Sequence, residues 1–565
     1  MANSNRVQTL YQHWLEAAAV DQATKQELRG IAADPKELED RFYKDLEFGT
    51  GGLRGVIGAG TNRMNLYTVG RATQGLAQYV LEIASNSGSV VIAYDSRHMS
   101  PEFALEAALV FAGNGLKAYV FESLRPTPEL SFAVRELKAT SGIVITASHN
   151  PPEYNGYKVY GADGGQLVPE HAERVTRLID GIDSFDKVKK ISREEAERRG
   201  LLEWIGHEID QAYIRAVTAI SQNPDVVKRV SGDFRIVYTP LHGAGNLSVR
   251  NALKAIGFEQ VQVVAEQEQP DPQFSTVKSP NPEEKEAFTL AIAQAKAWNA
   301  DIIIGTDPDC DRMGAVVKDA GGEYFVLTGN QSGAVMVNYL LGSMQTRGTL
   351  PANGVVIKTI VTSEMGAVIA RHYGVTVLDT LTGFKYIGEK MTEYEKTGEH
   401  EFLFGYEESY GYLAGNYARD KDAVVASMLI CEAAAYYKSQ GKTLYDVLQE
   451  LYDSHGHFLE KLESKTLKGK DGVEQMNRIM EAWRNAPPVD IEGEKVTEIE
   501  DYSKGIHGLP IADVLKYKLA DGSWFCLRPS GTEPKIKFYF AVQGTSGSRA
   551  SEQLNRLVQY VLSRV

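Results

Sequence analysis

The chain has 565 residues, of which 43% are hydrophobic and 24% are charged, and its formal net charge at pH 7 is −14. This length predicts several domains with ample buried core, and the composition is that of a globular protein rather than a disordered one. The negative charge disfavours nucleic-acid binding, because phosphate backbones require a basic surface, whereas a small anionic substrate needs only a local cluster of basic residues.

The cysteines and the apolar segments predict where the protein resides. Cys310, Cys431 and Cys526 lie far apart and form no CxxC pair, which predicts a reducing compartment with neither disulfides nor a zinc site. The N-terminal segment MANSNRVQTL lacks the layout of a signal peptide. The longest apolar stretch, residues 423–437, is too short for a membrane span and predicts a core helix. We therefore expect a cytoplasmic protein that binds neither nucleic acid nor a membrane.

One layout of strand, polar loop, amphipathic helix, glycine and second strand occurs three times, beginning at Val90, Arg235 and Gly354. Each copy predicts a βαβ unit of a mostly parallel, helix-covered sheet. A further apolar strand that runs into a polar loop follows each copy, as is typical of sites at the carboxyl ends of strands. We predict an α/β fold with a central active-site cleft between three related βαβ-repeat domains, residues 1–205, 206–320 and 321–457, and a distinct C-terminal α+β domain, residues 458–565.

The first candidate loop along the chain is the glycine-rich segment GTGGLRG, residues 49–55. It fits neither the Walker A nor the GxGxxG pattern, because Arg54 stands at the last required glycine. Its glycines would let a ligand approach the backbone, or would merely form a tight turn, and Arg54 could reach a phosphate.

Ser148 and His149 follow the apolar strand SGIVI, where a buried strand meets a loop. A hydrolase nucleophile is disfavoured, because the nucleophile elbow requires glycines where Thr146 and Asn150 stand. Neighbours on an extended chain point to opposite sides, so we expect His149 to be badly placed to deprotonate Ser148. Ser148 is therefore a candidate phosphoryl carrier, and the alternative is an ordinary strand-end turn.

Asp307, Asp309 and Asp311 alternate in the segment GTDPDCDR. In an extended segment their carboxylates would fall on one side, where repulsion is costly unless a cation neutralises them. Oxygen ligands favour a hard divalent ion, and an EF-hand is excluded because Arg312 replaces its required glycine. A phosphate on Ser148 could complete the coordination shell. The alternative is a solvated acidic turn.

The segment GYEESYGY contains Glu407 and Ser409 between tyrosines, a set suited to hydrogen-bonding sugar hydroxyls. Glycoside hydrolysis is disfavoured, because adjacent glutamates diverge and would not flank one glycosidic bond. A charged surface turn is the alternative.

The segment RPSGTEPKIK provides the hydrogen-bond donors of a phosphate-binding loop. These donors are Arg528, Ser530, Gly531, Thr532 and Lys535. The spacing is not that of a Walker A loop, and a solvated hairpin tip is the alternative.

In their order along the chain, TASHNPPEYNGYK, GTDPDCDR, GYEESYGY and RPSGTEPK resemble the motifs of the α-D-phosphohexomutase family, which includes phosphoglucomutases and phosphomannomutases. The resemblance covers most of the chain and is closest to the bacterial-type α-phosphoglucomutase branch. It implies four domains around a cleft, one Mg²⁺ per chain, a phosphoserine, and glucose 1,6-bisphosphate as primer and intermediate.

The resemblance also implies a role for each candidate residue. Ser148 would carry the phosphoryl group and would bind the metal together with Asp307, Asp309 and Asp311. The catalytic groups around it would be Arg54, His149, Lys158 and Lys421, with Lys421 or His149 passing the proton. The substrate contacts would be Thr50, Arg312, Thr382, Glu407, Ser409, Arg528, Ser530, Gly531, Thr532 and Lys535. Lys535 and Lys537 stand where other members use arginine, which predicts a less bidentate grip on the phosphate.

The implied activity is interconversion of α-D-glucose 1-phosphate and glucose 6-phosphate, with a small phosphosugar as the substrate. Phosphomannomutase and phosphopentomutase activities are alternatives within the family. A sugar-phosphate hydrolase, which would release inorganic phosphate, and a non-catalytic sugar-phosphate sensor are alternatives from other classes. The intact serine and the three aspartates disfavour the sensor. The sequence leaves the choice between monomer and homodimer open.

Overall fold

The computed structural model describes residues 2–49, 51–85, 87–467, 469–530 and 535–565. Three predicted substrate contacts, Thr50, Gly531 and Thr532, lie outside the described residues. The described chain begins with helices α1 (Ala2–Glu16), α2 (Gln22–Gly30) and α3 (Pro35–Phe42). Asp21 and Asp34 cap the second and third of these helices, because their side chains accept hydrogen bonds from backbone N–H groups of the first turn.

Sheet I has the strand order β1-β5-β4-β2-β3-β6. Its strands are β1 (Gly52–Val56), β2 (Ser89–Tyr94), β3 (Lys117–Phe121), β4 (Ser141–Ile145), β5 (Tyr154–Gly161) and β6 (Leu202–Ile205). Its helices are α4 (Leu66–Ile83), α5 (Ser100–Gly113), α6 (Thr127–Glu136), α7 (Pro169–Asp180) and α8 (Arg193–Arg198).

Sheet II has the order β11-β10-β9-β7-β8. Its strands are β7 (Arg235–Thr239), β8 (Gln260–Val263), β9 (Ile302–Thr306), β10 (Met313–Lys318) and β11 (Tyr324–Val326). Its helices are α9 (His207–Thr218), α10 (Pro224–Val230), α11 (Gly245–Ile256), α12 (Ala265–Glu268) and α13 (Thr289–Trp298).

Sheet III has the order β13-β12-β14-β15. Its strands are β12 (Gly354–Thr359), β13 (Thr376–Thr380), β14 (Glu401–Glu407) and β15 (Gly411–Ala414). Its helices are α14 (Gly329–Arg347), α15 (Glu364–His372), α16 (Phe384–Thr397), α17 (Ala423–Lys438) and α18 (Leu444–His455).

Sheet IV has the order β16-β21-β20-β19-β18-β17 and is antiparallel at each pairing along it. Its strands are β16 (His457–Thr466), β17 (Asp490–Ile491), β18 (Glu494–Asp501), β19 (Leu515–Leu519), β20 (Trp524–Pro529) and β21 (Lys535–Gly544), and its helices are α19 (Gly469–Asn485) and α20 (Gly547–Ser563). The segment RPSGTEPK joins β20 to β21.

The three-fold repeat predicted from the sequence is confirmed. In sheets I, II and III a central strand, β2, β7 or β12, pairs in parallel with the strand that follows its helix and with the strand that leads into the polar loop. The loop-bearing strands β4 and β9 are buried at every residue, as expected for parallel strands covered on both faces. The predicted fold class, three related α/β units and a distinct α+β unit, is therefore confirmed.

One apolar cluster runs through sheets I, II and III and includes α17, the helix predicted from residues 423–437. The three cysteines are free and buried. Among the described residues, no helix combines the length and the apolarity that a bilayer crossing requires.

Candidate active site

Ser148 lies in the loop that follows β4, and its backbone is left-handed with φ 52°. Its side-chain hydroxyl donates a hydrogen bond to Asp307 Oδ2 at 2.8 Å, and only 4% of the residue is exposed. The two residues are 159 positions apart in sequence, so the contact joins the loops of sheets I and II. The predicted phosphoryl carrier and the predicted metal ligands thus meet at one site.

His149 lies beside the serine hydroxyl, with 3.2 Å between His149 Nδ1 and Ser148 Oγ. The expectation that His149 would point away from Ser148 is therefore wrong. It assumed an extended chain, whereas the left-handed φ of Ser148 turns both side chains to the same side. Burial and the nearby Arg312 guanidinium lower the pKa of His149 to about 3, so its imidazole is neutral near pH 7 and one ring nitrogen can accept a proton.

Asp307, Asp309 and Asp311 are buried, and each offers a carboxylate oxygen within 4.8 Å of the others. They converge because residues 308–310 form a tight turn, with Cys310 at φ 55°, and not because the segment is extended. Within the described residues, Asp309 Oδ1 and Asp311 Oδ1 are buried without a hydrogen-bond partner. Buried carboxylate oxygens without partners are costly, so this site fits a hard divalent cation.

Two ammonium groups adjoin the aspartates. Lys158 Nζ, from β5, is 2.7 Å from Asp309 Oδ2 and 3.2 Å from Asp311 Oδ2. Lys421 Nζ is 3.1 Å from Asp311 Oδ2 and 3.2 Å from Asp420 Oδ1. Burial alone would lower the pKa of each lysine, but the carboxylates outweigh burial and raise both pKa values. Lys421 is therefore an ammonium donor in this structure rather than a neutral base.

The aspartates titrate differently because their neighbours differ. Burial and the Asp309 carboxylate raise the pKa of Asp307 well above its usual range. Burial would raise the pKa of Asp311 as well, but Lys158 and Lys421 hold it well below the usual range. The cations therefore favour the ionised form of Asp311, whereas Asp307 depends on a further positive charge to ionise.

Two arginines flank the site. Arg312 donates to the Glu283 carboxylate through Nη1, and its Nε lacks a hydrogen-bond partner within the described chain. Arg54 is exposed on β1, and its Nη1 lies 3.5 Å from Asn150 Oδ1. Both guanidinium groups therefore have donors left for an anion near Ser148.

The predicted sugar-binding residues lie at the end of β14, in the loop after it, and in the segment after β13. Glu407 is buried and accepts a hydrogen bond from the Gly383 N–H at 2.9 Å, which joins it to the segment that contains Thr382. Thr382 Oγ1 is buried without a partner within the described residues, and Ser409 is partly exposed. This loop also meets the aspartate loop, because the Met313 N–H donates to the Tyr410 carbonyl at 3.0 Å.

The fourth loop is described only at its ends. Arg528 lies opposite Lys537 in the register of β20 and β21, and the Ser530 N–H donates to the Lys535 carbonyl at 2.7 Å. Burial, Arg528 and Lys535 lower the pKa of Lys537, and the Glu408 carboxylate opposes this shift. These cations suit a phosphate group.

Glu408 lies between the third loop and this basic hairpin. Its carboxylate is 3.4 Å from Thr359 Oγ1 and 3.3 Å from Thr362 Oγ1. Burial and Glu407 raise its pKa to about 7, and Lys537 opposes that shift. The hairpin of sheet IV therefore faces the loop of sheet III.

Sequence analysis missed several residues of the site. The Thr127 hydroxyl donates to Asp309 Oδ2 at 2.9 Å, and the Thr127 N–H donates to the Asp309 carbonyl at 2.8 Å. Thr127 follows β3, so the strand-end rule applied to the other loops would have found it. Glu283 and Asp420 had no such signal. Glu283 pairs with Arg312, which lies 29 positions along the chain, and Asp420 pairs with its neighbour Lys421, and no local sequence pattern predicts either contact.

Family models match the chain in four consecutive segments. Three are described as phosphoglucomutase/phosphomannomutase alpha/beta/alpha domains I, II and III, matching residues 45–186, 211–322 and 328–455. The fourth is the phosphoglucomutase/phosphomannomutase C-terminal domain, matching residues 465–559.

Individual relatives agree with the family models. The chain is 39% identical over 528 residues to a phosphoglucomutase of Staphylococcus haemolyticus, and the aligned region covers 91% of this chain and 94% of that relative. The fold of this chain is similar to that of parafusin, a phosphoglucomutase of Paramecium, with a TM-score of 0.71 and 17% identity. The match covers 92% of this chain and 95% of parafusin. A phosphoglucomutase/phosphomannomutase family protein of Burkholderia thailandensis has a TM-score of 0.65 at 18% identity and covers 92% and 97%.

Proposed function

Because the chain belongs to the phosphoglucomutase/phosphomannomutase family, we propose that it interconverts α-D-glucose 1-phosphate and glucose 6-phosphate, with Ser148 as the phosphoryl carrier. It is an enzyme of the isomerase class that transfers a phosphoryl group within its substrate. One observation carries the proposed role of Ser148. Its hydroxyl donates to a carboxylate of the buried aspartate cluster, so a phosphate on this oxygen would lie against the cation site.

The aspartate cluster is the proposed site of one Mg²⁺ per chain. Asp307, Asp309 and Asp311 would hold it, together with the phosphate carried by Ser148. When bound, Mg²⁺ would neutralise charge on the transferring phosphoryl group. Lys158 and Lys421 already occupy one side of the cluster, so the cation would share the carboxylates with two ammonium groups.

In the first half-reaction, the bond between Ser148 Oγ and phosphorus breaks while the 6-hydroxyl of glucose 1-phosphate forms a new bond to that phosphorus. The hydroxyl proton has to reach Ser148 Oγ, and neutral His149, at 3.2 Å from this oxygen, is placed to relay it. Lys158, Arg312 and Arg54 would offset the charge that spreads over the phosphoryl oxygens.

In the second half-reaction, the glucose 1,6-bisphosphate turns within the site. The bond between its 1-oxygen and phosphorus then breaks, Ser148 Oγ bonds to that phosphorus, and the serine proton returns to the sugar oxygen. Glu407, Ser409 and Thr382 would hold the sugar in both orientations, and the hairpin of Arg528, Ser530 and Lys535 would hold the phosphate that is not reacting. The predicted contributions of Thr50, Gly531 and Thr532 stay predictions, as does the cytoplasmic location.

Initial rates with the 1-phosphates of glucose, mannose and ribose, each with a trace of the corresponding bisphosphate, test the proposal. We expect the highest kcat/KM for glucose 1-phosphate and no release of inorganic phosphate. A higher kcat/KM for mannose or ribose 1-phosphate would reassign the substrate. Stoichiometric release of phosphate would identify a hydrolase instead.

A further inference from the structure

A buried guanidinium lies directly beneath the loop that bears Ser148. Arg97 follows β2 and has no exposed side-chain surface. Its two terminal nitrogens donate to four backbone carbonyls of this loop, those of Ser148 (2.5 Å), Asn150, Pro151 (2.8 Å) and Tyr154 (3.0 Å). The loop therefore winds around one planar cation, and every N–H of both terminal nitrogens has an acceptor.

Asp95 forms an ion pair with the guanidinium and, through Thr146, holds the backbone of the nucleophile. Its Oδ2 is 3.3 Å from Arg97 Nε and accepts the Thr146 hydroxyl at 2.6 Å. Thr146 Oγ1 in turn accepts the Ser148 N–H at 2.8 Å. The N–H and the carbonyl of Ser148 are thus each held through a short chain of contacts that ends at Asp95.

This arrangement stabilises an uncommon backbone conformation. A non-glycine residue with positive φ is held only where its surroundings compensate for the strain, and Ser148 has φ 52°. The same conformation brings Ser148 Oγ to Asp307 and His149. The position of the attacking oxygen therefore depends on the contacts of Arg97, which itself forms no hydrogen bond or ion pair with Asp307 or His149 among the described residues.

Residues near sheet II complete the enclosure of the guanidinium. The Phe274 ring centroid lies 5.0 Å from Arg97 Cζ, and Phe274 is 1% exposed. Beside it, Gln273 Nε2 lies 2.7 Å from His98 Nε2. The support of the loop is thus built across the same two sheets that contribute the serine and the aspartates.

We propose that Arg97, oriented by Asp95, is a positioning residue that sets the geometry of Ser148 for phosphoryl transfer. The inference rests on the proposed function of Ser148. Lysine would retain the charge of Arg97 but offers three donors from one point, so it cannot reach the four carbonyls in the same geometry. A displacement of about 1 Å at a reacting atom can lower a rate by about 100-fold.

Full-length Arg97→Lys protein is compared with wild type and with Arg63→Lys as the matched control. Arg63 is also buried and donates to the backbone carbonyl of Asn62 and to the Asp40 carboxylate, and none of its hydrogen-bond partners among the described residues belongs to the serine loop. We expect Arg97→Lys to lower kcat by about 100-fold with KM within about threefold of wild type, because the proposed sugar and phosphate contacts lie on other loops. We expect Arg63→Lys to keep both constants near wild type after correction for its folded fraction.

A second pair of variants decides the question if Arg97→Lys does not fold. Thr146→Val removes the acceptor for the Ser148 N–H at nearly constant volume, and Thr146→Ser restores it. We expect the valine variant to lower kcat by about 5- to 150-fold, the equivalent of about 1–3 kcal/mol for a buried donor left unpaired, and the serine variant to recover the rate.

Single-turnover phosphorylation of Ser148 by glucose 1,6-bisphosphate gives the rate of the chemical step and should fall in parallel with kcat. An unchanged kcat in folded Arg97→Lys would overturn the inference, as would equal losses in Arg97→Lys and Arg63→Lys or a Thr146→Val rate equal to that of Thr146→Ser. The ratios are measured on whichever of the three sugar 1-phosphates turns over fastest. If the wild type does not turn over glucose 1-phosphate, that result contradicts the proposed substrate and leaves the inference about Arg97 unaffected.

Discussion

The left-handed backbone of Ser148 decides what its hydroxyl touches. With φ 52°, Ser148 Oγ lies between His149 Nδ1 and the Asp307 carboxylate, at 3.2 and 2.8 Å. An extended backbone would separate the serine from the histidine. The geometry therefore favours a serine that exchanges a phosphoryl group beside a cation over a serine in an ordinary turn.

Ser148→Ala removes the phosphoryl acceptor. We expect turnover to fall by several orders of magnitude while the thermal unfolding temperature stays close to that of wild type. Intact-mass analysis should find a monophosphorylated fraction in the wild type that is absent from the variant. Ser141→Ala is the matched control, because Ser141 is also buried and its hydroxyl donates to the Tyr160 carbonyl at the start of β4. Near-normal turnover in folded Ser148→Ala protein would contradict the carrier role.

Asp309→Asn tests the cation site. Removing one ligand charge should raise the Mg²⁺ concentration for half-maximal activity by at least about 10-fold, because even loss of an outer-shell partner costs 10- to 100-fold in metal affinity. Calorimetric titration with Mg²⁺ alone should show the same weakening without reference to activity. Asp301→Asn is the control, since Asp301 precedes the same strand and its carboxylate binds Lys438 at 2.7 Å. If a chelator leaves the wild-type rate unchanged, the metal proposal is wrong.

At the scale of elements, one strand arrangement repeated in sheets I, II and III places a polar loop at the carboxyl end of β4, β9 and β14. The loops are joined directly, since the Ser148 hydroxyl donates to the Asp307 carboxylate and the Met313 N–H donates to the Tyr410 carbonyl. The basic hairpin of sheet IV is a separate element whose Lys537 interacts electrostatically with Glu408.

Arg528→Ala tests that hairpin. If the hairpin holds the phosphate that is not reacting, KM should rise by about 10- to 100-fold for each phosphosugar alike, the cost of one charge-assisted hydrogen-bonded pair. Steady-state kinetics on the three sugar 1-phosphates would measure the change. Lys518→Ala is the control, because Lys518 lies in the same sheet and binds Glu498 and Glu500. An unchanged KM in Arg528→Ala would mean that the phosphate is bound elsewhere.

At the scale of the whole molecule, the proposed site draws residues from all four sheets, and a buried hydrogen bond joins sheet IV to sheet III. Lys516 is buried, and its ammonium donates to the Ile360 carbonyl at 2.7 Å while lying 4.2 Å from the Trp524 ring centroid. A small apolar cluster surrounds this bond. Burial and the nearby Lys358 lower the pKa of Lys516. Among the described residues, no carboxylate lies within ion-pair distance of its ammonium group. The hydrogen bond from Lys516 to the Ile360 carbonyl therefore joins the two sheets without an ion pair.

Lys516→Met keeps the buried stem and removes the hydrogen bond between sheets III and IV. We expect looser closure and escape of the bisphosphate before it turns, so that the concentration of added glucose 1,6-bisphosphate for half-maximal rate rises by about fivefold, the equivalent of about 1 kcal/mol. Lys465→Met is the control, because Lys465 on β16 also donates to a main-chain oxygen, that of Val565 after α20, and so does not join sheets III and IV. Equal primer dependence in the two variants would exclude this bond as a restraint on opening.

The sequence by itself determined the fold class and the chemical types at the site. Largely apolar runs such as SGIVI and DIII predicted buried parallel strands, and the residues after them predicted a serine and a carboxylate cluster. The segment RPSGTEPK predicted a basic hairpin. These features depend on short-range patterns, because the periodicity of a strand and the point where it ends can be recognised within about ten residues of sequence. The predicted domain boundaries and the roles assigned to single residues stay predictions.

Only the tertiary structure decided how those residues meet. The aspartates converge through a turn at Cys310, His149 stands beside Ser148 because of a positive φ, and Arg97 gathers four carbonyls of a loop that lies more than 50 positions further along the chain. A buried donor or acceptor takes its partner from whichever element packs against it, and that choice depends on the packing of sheets whose sequences are far apart. Local pattern therefore specified which groups enter the site, and packing specified their geometry.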